Sequence, residues 1–187
     1  MAQKRKDWNG LISGFKASDL VFLDESGCNT DMTRRYAYSL GGSRSVDSAP
    51  LSKPKNTTIL SSIQLDGTLR YTTFSGGTTV ERFKRYLETD LLPHLNENSV
   101  LIMDNMKLHH AKAVKKLLDS SGVRYIYLPP YSPDLNPIEK LWSKVKAFLR
   151  KFKARTLDAL PNAIQNAFHS VTISDCSGWF RFCGYAL

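Results

Sequence analysis

The chain has 187 residues, of which 42% are apolar, and this is enough for one globular domain with a hydrophobic core. No apolar run approaches the roughly 18 residues that cross a bilayer, and no apolar segment follows the basic residues near the N-terminus. We therefore expect a cytoplasmic protein with no membrane partner. The three cysteines form no close pair, which argues against a disulfide framework or a zinc site and favours packing roles.

The positive charge of the chain is large and unevenly distributed. The net charge is +9 and the pI is near 9.5, which indicates an anionic partner such as nucleic acid or a membrane surface. Twelve lysines and arginines but only three acidic residues lie between Asn105 and Arg155, so this segment alone accounts for the net charge. A basic surface focused in this way is typical of a protein that binds a polyanion.

The first part of the chain predicts one buried strand between two polar segments. Residues 1–17 are polar with scattered apolar residues, and we interpret them as a lead-in or linker. The apolar run of residues 20–23 predicts a strand buried on both faces, followed by a polar turn over residues 24–27. Residues 28–56 are rich in Ser, Gly, Arg and Lys, and they predict a long insertion with one hairpin near residues 35–42.

A second hairpin and a helix are expected next. Residues 57–65 and 68–74 have strand composition and are joined by Asp66-Gly67, a strong hairpin signal. Thr78 and Glu81 have the spacing of a capping box, which predicts a helix that begins there and ends near Pro93.

The middle of the chain predicts a parallel crossover. Residues 100–103 form a second short apolar run that ends at an acid, residues 108–118 have an amphipathic helical pattern, and residues 123–128 predict another strand. A strand, a helix and a strand in this order form a right-handed crossover. Together with the hairpin, this order predicts an α/β domain with a mixed sheet whose faces are covered by helices.

The stretch from Tyr131 to Lys146 predicts a well-defined helix start. Asn136 is a favourable N-cap and Pro137 suits the first helical position. An apolar stripe follows at helical spacing, formed by Ile138, Leu141, Trp142, Val145, Phe148 and Leu149. Glu139 lies outside that stripe, in the first turn. A last helix is expected to carry Leu157, Leu160, Ile164 and Phe168, followed by an aromatic tail that packs on the body.

Three carboxylates are expected to meet at one edge of the sheet. Asp24 and Asp104 follow the two most apolar strands, and ligands of α/β sheets sit beyond the carboxyl ends of such strands. If the strands are neighbours, the two aspartates repel one another, and a divalent cation resolves the conflict with Glu139 as a third ligand. Hard oxygen ligands select Mg²⁺ or Mn²⁺, and two such ions would clamp the oxygens of an in-line phosphoryl transfer.

Simpler interpretations exist for each of these residues. Asp24 could be a turn residue, Asp104 a helix cap and Glu139 a residue that favours the helix N-terminus. Glu25 points to the other face of its strand, so it can at most support Asp24. His109 fits either a capping or solvated histidine or a DNA contact. The cations after Glu139 could form a solvated helix face. A run of seven basic residues without an intervening acid nevertheless favours phosphate binding. These residues are Lys140, Lys144, Lys146, Arg150, Lys151, Lys153 and Arg155.

Three blocks carry a resemblance to a known family. They are residues 22–27 (FLDESG), residues 102–105 (IMDN) with His109 five positions after Asp104, and residues 128–139 (LPPYSPDLNPIE) followed by Trp142. The chain resembles the catalytic domain of DDE/D transposases of the mariner superfamily, and specifically the bacterial insertion-sequence six-thirty group. The 34 residues between Asp104 and Glu139 are similar to that branch, and the match runs over residues 18–187.

The resemblance implies a ribonuclease-H-like fold with a five-stranded sheet, with Asp24, Asp104 and Glu139 as catalytic ligands of two magnesium ions. It implies cleavage at transposon ends and strand transfer into a TA target, so the DNA partners are terminal repeats and target DNA at the bacterial nucleoid. It also implies that residues 28–56 contact the partner subunit of a homodimer. Glu25 and Asn105, which follow the two aspartates, are expected to support them.

The resemblance also implies a helix-turn-helix DNA-binding part, which family members carry before the catalytic domain. The short basic lead here does not match it, so we hypothesise the downstream reading frame of a split transposase, joined to its upstream part by frameshifting. The alternative is an inactive DNA-binding or regulatory relic that dimerises with full-length transposase.

Overall fold

The fold is described from a computed structural model, which describes residues 2–34, 36–48, 50 and 54–185. A five-stranded sheet has the spatial order β3-β2-β1-β4-β5. The strands are β1 (Leu20–Cys28), β2 (Thr57–Ile63), β3 (Leu69–Ser75), β4 (Val100–Met103) and β5 (Arg124–Tyr127). β1 pairs antiparallel with β2 and parallel with β4, and β5 continues the parallel half. The predicted mixed sheet is confirmed.

Helices cover both faces of this sheet. They are α1 (Ala2–Ile12), α2 (Val80–Tyr86), α3 (Lys112–Ser121), α4 (Ile138–Phe152), α5 (Ala159–His169) and α6 (Ile173–Phe182). Alternate residues of β1 explain the two layers. Phe22 packs in a core cluster with residues of α4, α5 and α6, whereas Val21 and Leu23 pack in a second cluster with residues of α2 and α3.

The predicted polar turn after Leu23 was wrong. β1 continues to Cys28, because β2 pairs with it along its whole second half, from Asp24 opposite Ser61 to Cys28 opposite Thr57. Pairing with β4, in contrast, stops at Leu23 opposite Met103. Asp24 is therefore a mid-strand residue that lies where the parallel part of the sheet ends.

The helix boundaries corrected several predictions. Thr79 rather than Thr78 caps α2, since its side chain accepts a hydrogen bond from the Arg82 amide at 3.3 Å. α3 begins at Lys112, and residues 107–110 form turns instead of its predicted first turn. The hairpin expected near residues 35–42 has no strand within the described part of residues 29–56, and Arg35 lies outside the described residues.

Both ends of the chain form helices that the sequence patterns did not reveal. α1 places Trp8 in the core at 4% exposure, so the segment interpreted as a lead-in packs on the domain. The aromatic tail forms α6, which begins with a capping box between Thr172 and Asp175. Cys28, Cys176 and Cys183 are all buried and unpaired with one another, in agreement with packing roles. None of the described helices is both long and apolar enough to cross a membrane.

Candidate active site

Three carboxylates from distant parts of the chain line one cavity. Asp24 comes from the middle of β1, Asp104 from the residue after β4, and Glu139 from the first turn of α4. The cavity has a volume of about 460 Å³. Its remaining wall is formed by Asn105, Met106, residues 128–133 and Asn136. The structure thus brings the three predicted carboxylates to one place.

The Asp24 carboxylate is held by Trp142, a residue whose sequence pattern predicted only a core role. The indole N–H of Trp142 donates a hydrogen bond to Asp24 Oδ2 at 3.0 Å, although Trp142 is also 97% buried in the apolar stripe of α4. Burial raises the pKa of Asp24 to about 7, and the negative charges of Glu25 and Glu139 add to this effect, against the hydrogen bonds that Asp24 accepts. No positive charge of the described residues is among the causes that shift the pKa of Asp24.

Asp104 has a different environment. Its Oδ1 accepts a hydrogen bond from the Met106 amide at 2.9 Å and lies 2.9 Å from Nδ1 of His109. Burial works to raise the pKa of Asp104, but the hydrogen bonds from His109 and Met106 and the nearby positive charge outweigh burial and lower it. The pKa values of Asp24 and Asp104 are therefore shifted in opposite directions.

His109 is fully buried, so its ring is not exposed to solvent, and the predicted contact with DNA stays a prediction. Its two ring nitrogens face two carboxylates, with Nδ1 toward Asp104 and Nε2 at 3.3 Å from Glu25 Oε2. The ring stacks on Phe83, with 4.6 Å between ring centroids. Burial works to lower the pKa of His109, but Asp104 and Glu25 raise it to about 10. The ring is thus a buried cation between two carboxylates.

Glu25 lies on the opposite side of β1 from Asp24, as strand alternation predicts. Its side chain is only 7% exposed, and it reaches the active site indirectly through His109. Asn105 connects the two parallel strands beyond their last paired residues, because its side-chain amide donates to the Leu128 carbonyl. Its Oδ1 lies 3.3 Å from Nε2 of His110.

Glu139 is exposed at the cavity edge, on the first turn of α4. The role of Asn136 as N-cap was wrong, since α4 begins at Ile138 and the Asn136 side chain makes no capping bond. Asn136 is buried, and its Oδ1 has no hydrogen-bond partner among the described residues. It is instead the carbonyl of Asn136 that accepts from the Glu139 amide, at 3.1 Å. This hydrogen bond in the first turn still fixes the backbone position of Glu139.

The loop before α4 is held from both ends of the chain. Arg5 of α1 forms an ion pair with Asp134 and donates to Ser132 Oγ at 3.2 Å. The hydroxyl of Tyr185, near the C-terminus, donates to the Leu135 carbonyl at 2.5 Å. Between them, Tyr131 has a φ of 55°, unusual for a non-glycine residue, and its side chain is 87% exposed beside the cavity.

The basic residues of α4 and of the segment directly after it are partly engaged within the protein. Lys144 pairs with Asp175 and Lys153 with Asp47, each at 2.5 Å, while Lys140 Nζ lies 3.8 Å from the ring centroid of Phe182. Arg155 donates to the carbonyls of Thr30 and Met32. The described residues place no acid within 4.0 Å of Lys146, Arg150 or Lys151. A DNA-binding role for this run stays a prediction.

The donor set of the cavity suits a hard divalent cation. It consists of carboxylates, and burial together with the charges of Glu25 and Glu139 raises the pKa of Asp24, an effect that a bound cation would oppose. In the described residues no three His, Cys, Asp or Glu side chains are close enough together to hold a metal ion. Asp104 makes its hydrogen bonds to His109 and Met106 in this conformation, so a shared site requires side-chain adjustment around the cavity.

Comparison with known proteins shows which class of protein the chain belongs to. The chain belongs to the DDE superfamily endonuclease family, whose family model matches residues 19–161. It is 30% identical over 97 residues to the Tc1 transposase of Caenorhabditis elegans and 31% identical over 75 residues to the Tcb2 transposase of Caenorhabditis briggsae. The matched segments cover 50% and 40% of this chain, but only 36% and 28% of those two proteins.

Solved structures of Mos1 transposase share the fold. A paired-end complex with the left transposon end superimposes with a TM-score of 0.80 at 17% identity, covering 95% of this chain and 57% of that one. The Mos1 catalytic domain alone gives a TM-score of 0.68 at 16% identity, covering 96% of this chain and 85% of the domain. The five-stranded mixed sheet with its flanking helices is therefore the predicted ribonuclease-H-like fold.

Proposed function

We propose that this chain is the catalytic part of a cut-and-paste DNA transposase. It would cleave DNA at transposon ends and join the ends to target DNA, with Asp24, Asp104 and Glu139 as catalytic residues. The observation that carries the proposal is the single cavity that these three carboxylates line, although they come from β1, the end of β4 and the start of α4. Membership of the DDE superfamily endonuclease family supports it.

The proposed cofactor is Mg²⁺ or Mn²⁺, held as two ions by Asp24, Asp104 and Glu139. Mos1 paired-end complexes have been solved with Mn and with Mg, which supports this choice of metals. When bound, two such ions would stabilise both the attacking and the leaving oxygen of an in-line displacement at phosphorus. The carboxylates must then be held firmly, since small displacements of catalytic groups reduce rates strongly.

Four other residues would act by positioning the carboxylates. Trp142 fixes one oxygen of Asp24 through its indole N–H. His109 fixes Asp104 and is itself oriented by Glu25 on its other ring nitrogen. Asn105 ties the loop after β4 to the end of β5. Residues that orient metal ligands in this way commonly change activity when they are replaced, although they do not touch substrate.

The proposed substrates and partners follow from the relatives. Mos1 forms a paired-end complex with transposon-end DNA, and we propose terminal repeats, a TA target and a homodimer for this chain as well, acting at the bacterial nucleoid. The chain spans 57% of the Mos1 chain. We also propose a helix-turn-helix DNA-binding moiety encoded upstream as the partner that recognises the transposon ends. The six-thirty group and a split gene joined by frameshifting remain our proposals for its origin.

A cleavage assay tests this function. Duplex DNA carrying the terminal repeats that flank the gene is incubated with the full chain, supplemented by the product of any upstream helix-turn-helix frame, in Mg²⁺, Mn²⁺ or EDTA. We expect cleavage only with metal. Asp104→Asn should abolish cleavage but keep DNA binding, because the amide oxygen can still accept from Met106 and His109. Asp158→Asn, which removes one exposed acid outside the cavity lining, is the matched control.

Two results would contradict the proposal. Cleavage by the Asp104→Asn protein at the wild-type rate would remove Asp104 from the catalytic site. DNA binding by the wild-type protein that is indifferent to metal, without any cleavage, would instead favour the regulatory relic that dimerises with full-length transposase.

A further inference from the structure

α3 has one buried face and one basic face. Val114 and Leu118 are fully buried in the cluster between α3, α2 and the sheet. Lys112 and Lys116 lie one turn apart on the side of the helix opposite to those two residues, and Lys115 lies between that side and the buried face. All three lysines are exposed. The spacing of one turn separates Lys112 from Lys116 by about 6 Å along the helix axis. The lysines therefore form a compact row that faces solvent.

This row is not neutralised by neighbouring acids. All Asp and Glu residues of the chain lie in the described segments, and none of their carboxylates is within 4.0 Å of Lys112, Lys115 or Lys116. Lys107, in the turn before α3, is exposed and likewise has no such partner among the described residues. The row contrasts with α4 and the residue after it, where Lys144 and Lys153 form ion pairs and Lys140 covers an aromatic ring.

The basic face begins at the rim of the active-site cavity. Lys107 directly follows Met106, which lines the cavity together with Asp104 and Asn105. The far end of the same helix face carries Asp119, whose carboxylate accepts a hydrogen bond from the Tyr125 hydroxyl at 2.8 Å. Positive charge is therefore concentrated at the end of α3 that is nearer to the cavity, and it ends before the last turn.

We propose that Lys107, Lys112, Lys115 and Lys116 form a second DNA-binding surface. It is distinct from the run of cations that follows Glu139, from Lys140 to Arg155. It would bind the phosphate backbone of duplex DNA beside the cavity wall that is formed by the loop after β4, the loop that leads into α3. The inference rests on the proposed function in that the ligand is DNA. Free lysines in a row on a rigid helix fit phosphates as point charges and need no base contacts.

The salt dependence of DNA binding tests this surface without any requirement for cleavage. Fluorescence anisotropy of a labelled duplex of about 30 base pairs that lacks the terminal repeats gives the binding constant at several KCl concentrations in EDTA. The variant carries Lys112→Gln, Lys115→Gln and Lys116→Gln. Its matched control carries Lys4→Gln, Lys6→Gln and Lys16→Gln, which remove the same charge from exposed positions near the N-terminus.

Each neutralised phosphate contributes about 0.9 to the magnitude of the slope of log K against log[KCl], so three lost phosphate contacts lower that magnitude by about 2.7. We expect this reduction for the α3 variant, with affinity at least tenfold weaker at about 0.1 M KCl, and a slope close to wild type for the control. Circular dichroism should be unchanged, because Gln and Lys have similar helix propensity.

Equal slopes for wild type and the α3 variant would overturn the proposal. An equal reduction in the control would also overturn it, because total charge rather than this surface would then set binding. A chain that shows the α3-specific change but no metal-dependent cleavage would keep the DNA-binding surface and remove the catalytic function, so the two proposals fail separately.

Discussion

The indole N–H of Trp142 donates to Asp24 Oδ2 over 3.0 Å, joining α4 to the middle of β1. Trp142 lies three residues after Glu139, on the same side of the helix start. One hydrogen bond together with the rigidity of a helical turn therefore sets the position of Glu139 relative to Asp24. The same tryptophan is part of the core cluster, so packing of α4 on the sheet and geometry of the site depend on one side chain.

Trp142→Phe tests this relationship. Phenylalanine keeps most of the apolar packing but leaves Asp24 without its donor, so we expect a loss of about 1–2 kcal/mol in the free energy of unfolding. The cleavage rate should fall further than the loss of folded protein alone would explain. Urea denaturation and the cleavage assay measure the two effects. Trp179→Phe is the control, because Trp179 packs against the same core and lines no part of the cavity. Equal cleavage by both variants would contradict the assigned role.

The Glu25–His109–Asp104 contacts predict a stability pattern. His109→Gln removes the buried cation that faces two carboxylates and also the stacking on Phe83, so we expect a loss of roughly 3 kcal/mol, typical of breaking a buried pair. Adding Glu25→Gln should restore part of that stability, because the uncompensated buried carboxylate is neutralised. Urea denaturation of the two single variants and the double variant measures the coupling. A double variant less stable than His109→Gln alone would argue against the charged bridge.

The Lys144–Asp175 pair predicts a pH dependence of stability. The hydrogen bond from Lys144 lowers the pKa of Asp175 below its ordinary value, despite the opposing effect of burial. The stabilisation is therefore complete above the unfolded pKa of about 3.9 and is lost as the pH falls through the lower folded pKa. For a pair at the surface it amounts to at most about 1 kcal/mol.

The free energies of unfolding of wild type and Asp175→Asn should thus differ at about pH 6 and converge near pH 2–3. Chemical denaturation at both pH values measures this difference. A difference that grows as the pH falls would have the wrong sign for this pair.

Gly67 and Gly122 allow a steric contact to be separated from backbone strain. Both have positive φ, 88° and 71°, so Ala is strained at either position and should cost about 1 kcal/mol. A Cβ at position 67 would lie 3.0 Å from Cγ1 of Ile173 in α6, whereas nothing lies within 4 Å at position 122. Gly67→Ala should therefore lower the thermal midpoint more than Gly122→Ala. Equal shifts of the thermal midpoint would show that Ile173 of α6 does not restrict the space at position 67 in the β2–β3 turn.

The sequence was sufficient for those parts of the site that depend on local patterns. The runs of residues 20–23 and 100–103 are apolar because both faces of β1 and β4 are covered, and Asp104 follows one of them directly. Glu139 was predictable from the start of α4, even though the cap was not Asn136. Asp24 was placed beyond its strand because a polar sequence resembles a turn, when pairing with β2 in fact keeps it in the strand.

The missing parts depend on contacts between distant residues. His109 and Glu25 are 84 positions apart, and nothing in the sequence around either one indicates the other. α1 has few apolar residues, and its burial depends on Trp8 reaching the same core cluster as Tyr185 at the opposite end of the chain. The apolar stripe of α4 correctly predicts that Trp142 is a core residue. Only the tertiary structure shows that its indole N–H donates to Asp24.

The most direct test of the account is where a divalent metal binds. Crystals of the full chain grown with Mn²⁺ and measured at the manganese absorption edge should show anomalous density in the cavity, with carboxylate oxygens of Asp24, Asp104 and Glu139 as ligands. The peak should weaken in Glu139→Gln crystals, since the amide is a poorer ligand for a hard cation. A map without manganese between these three residues at saturating Mn²⁺ would contradict the assignment of this cavity as a metal-dependent catalytic site.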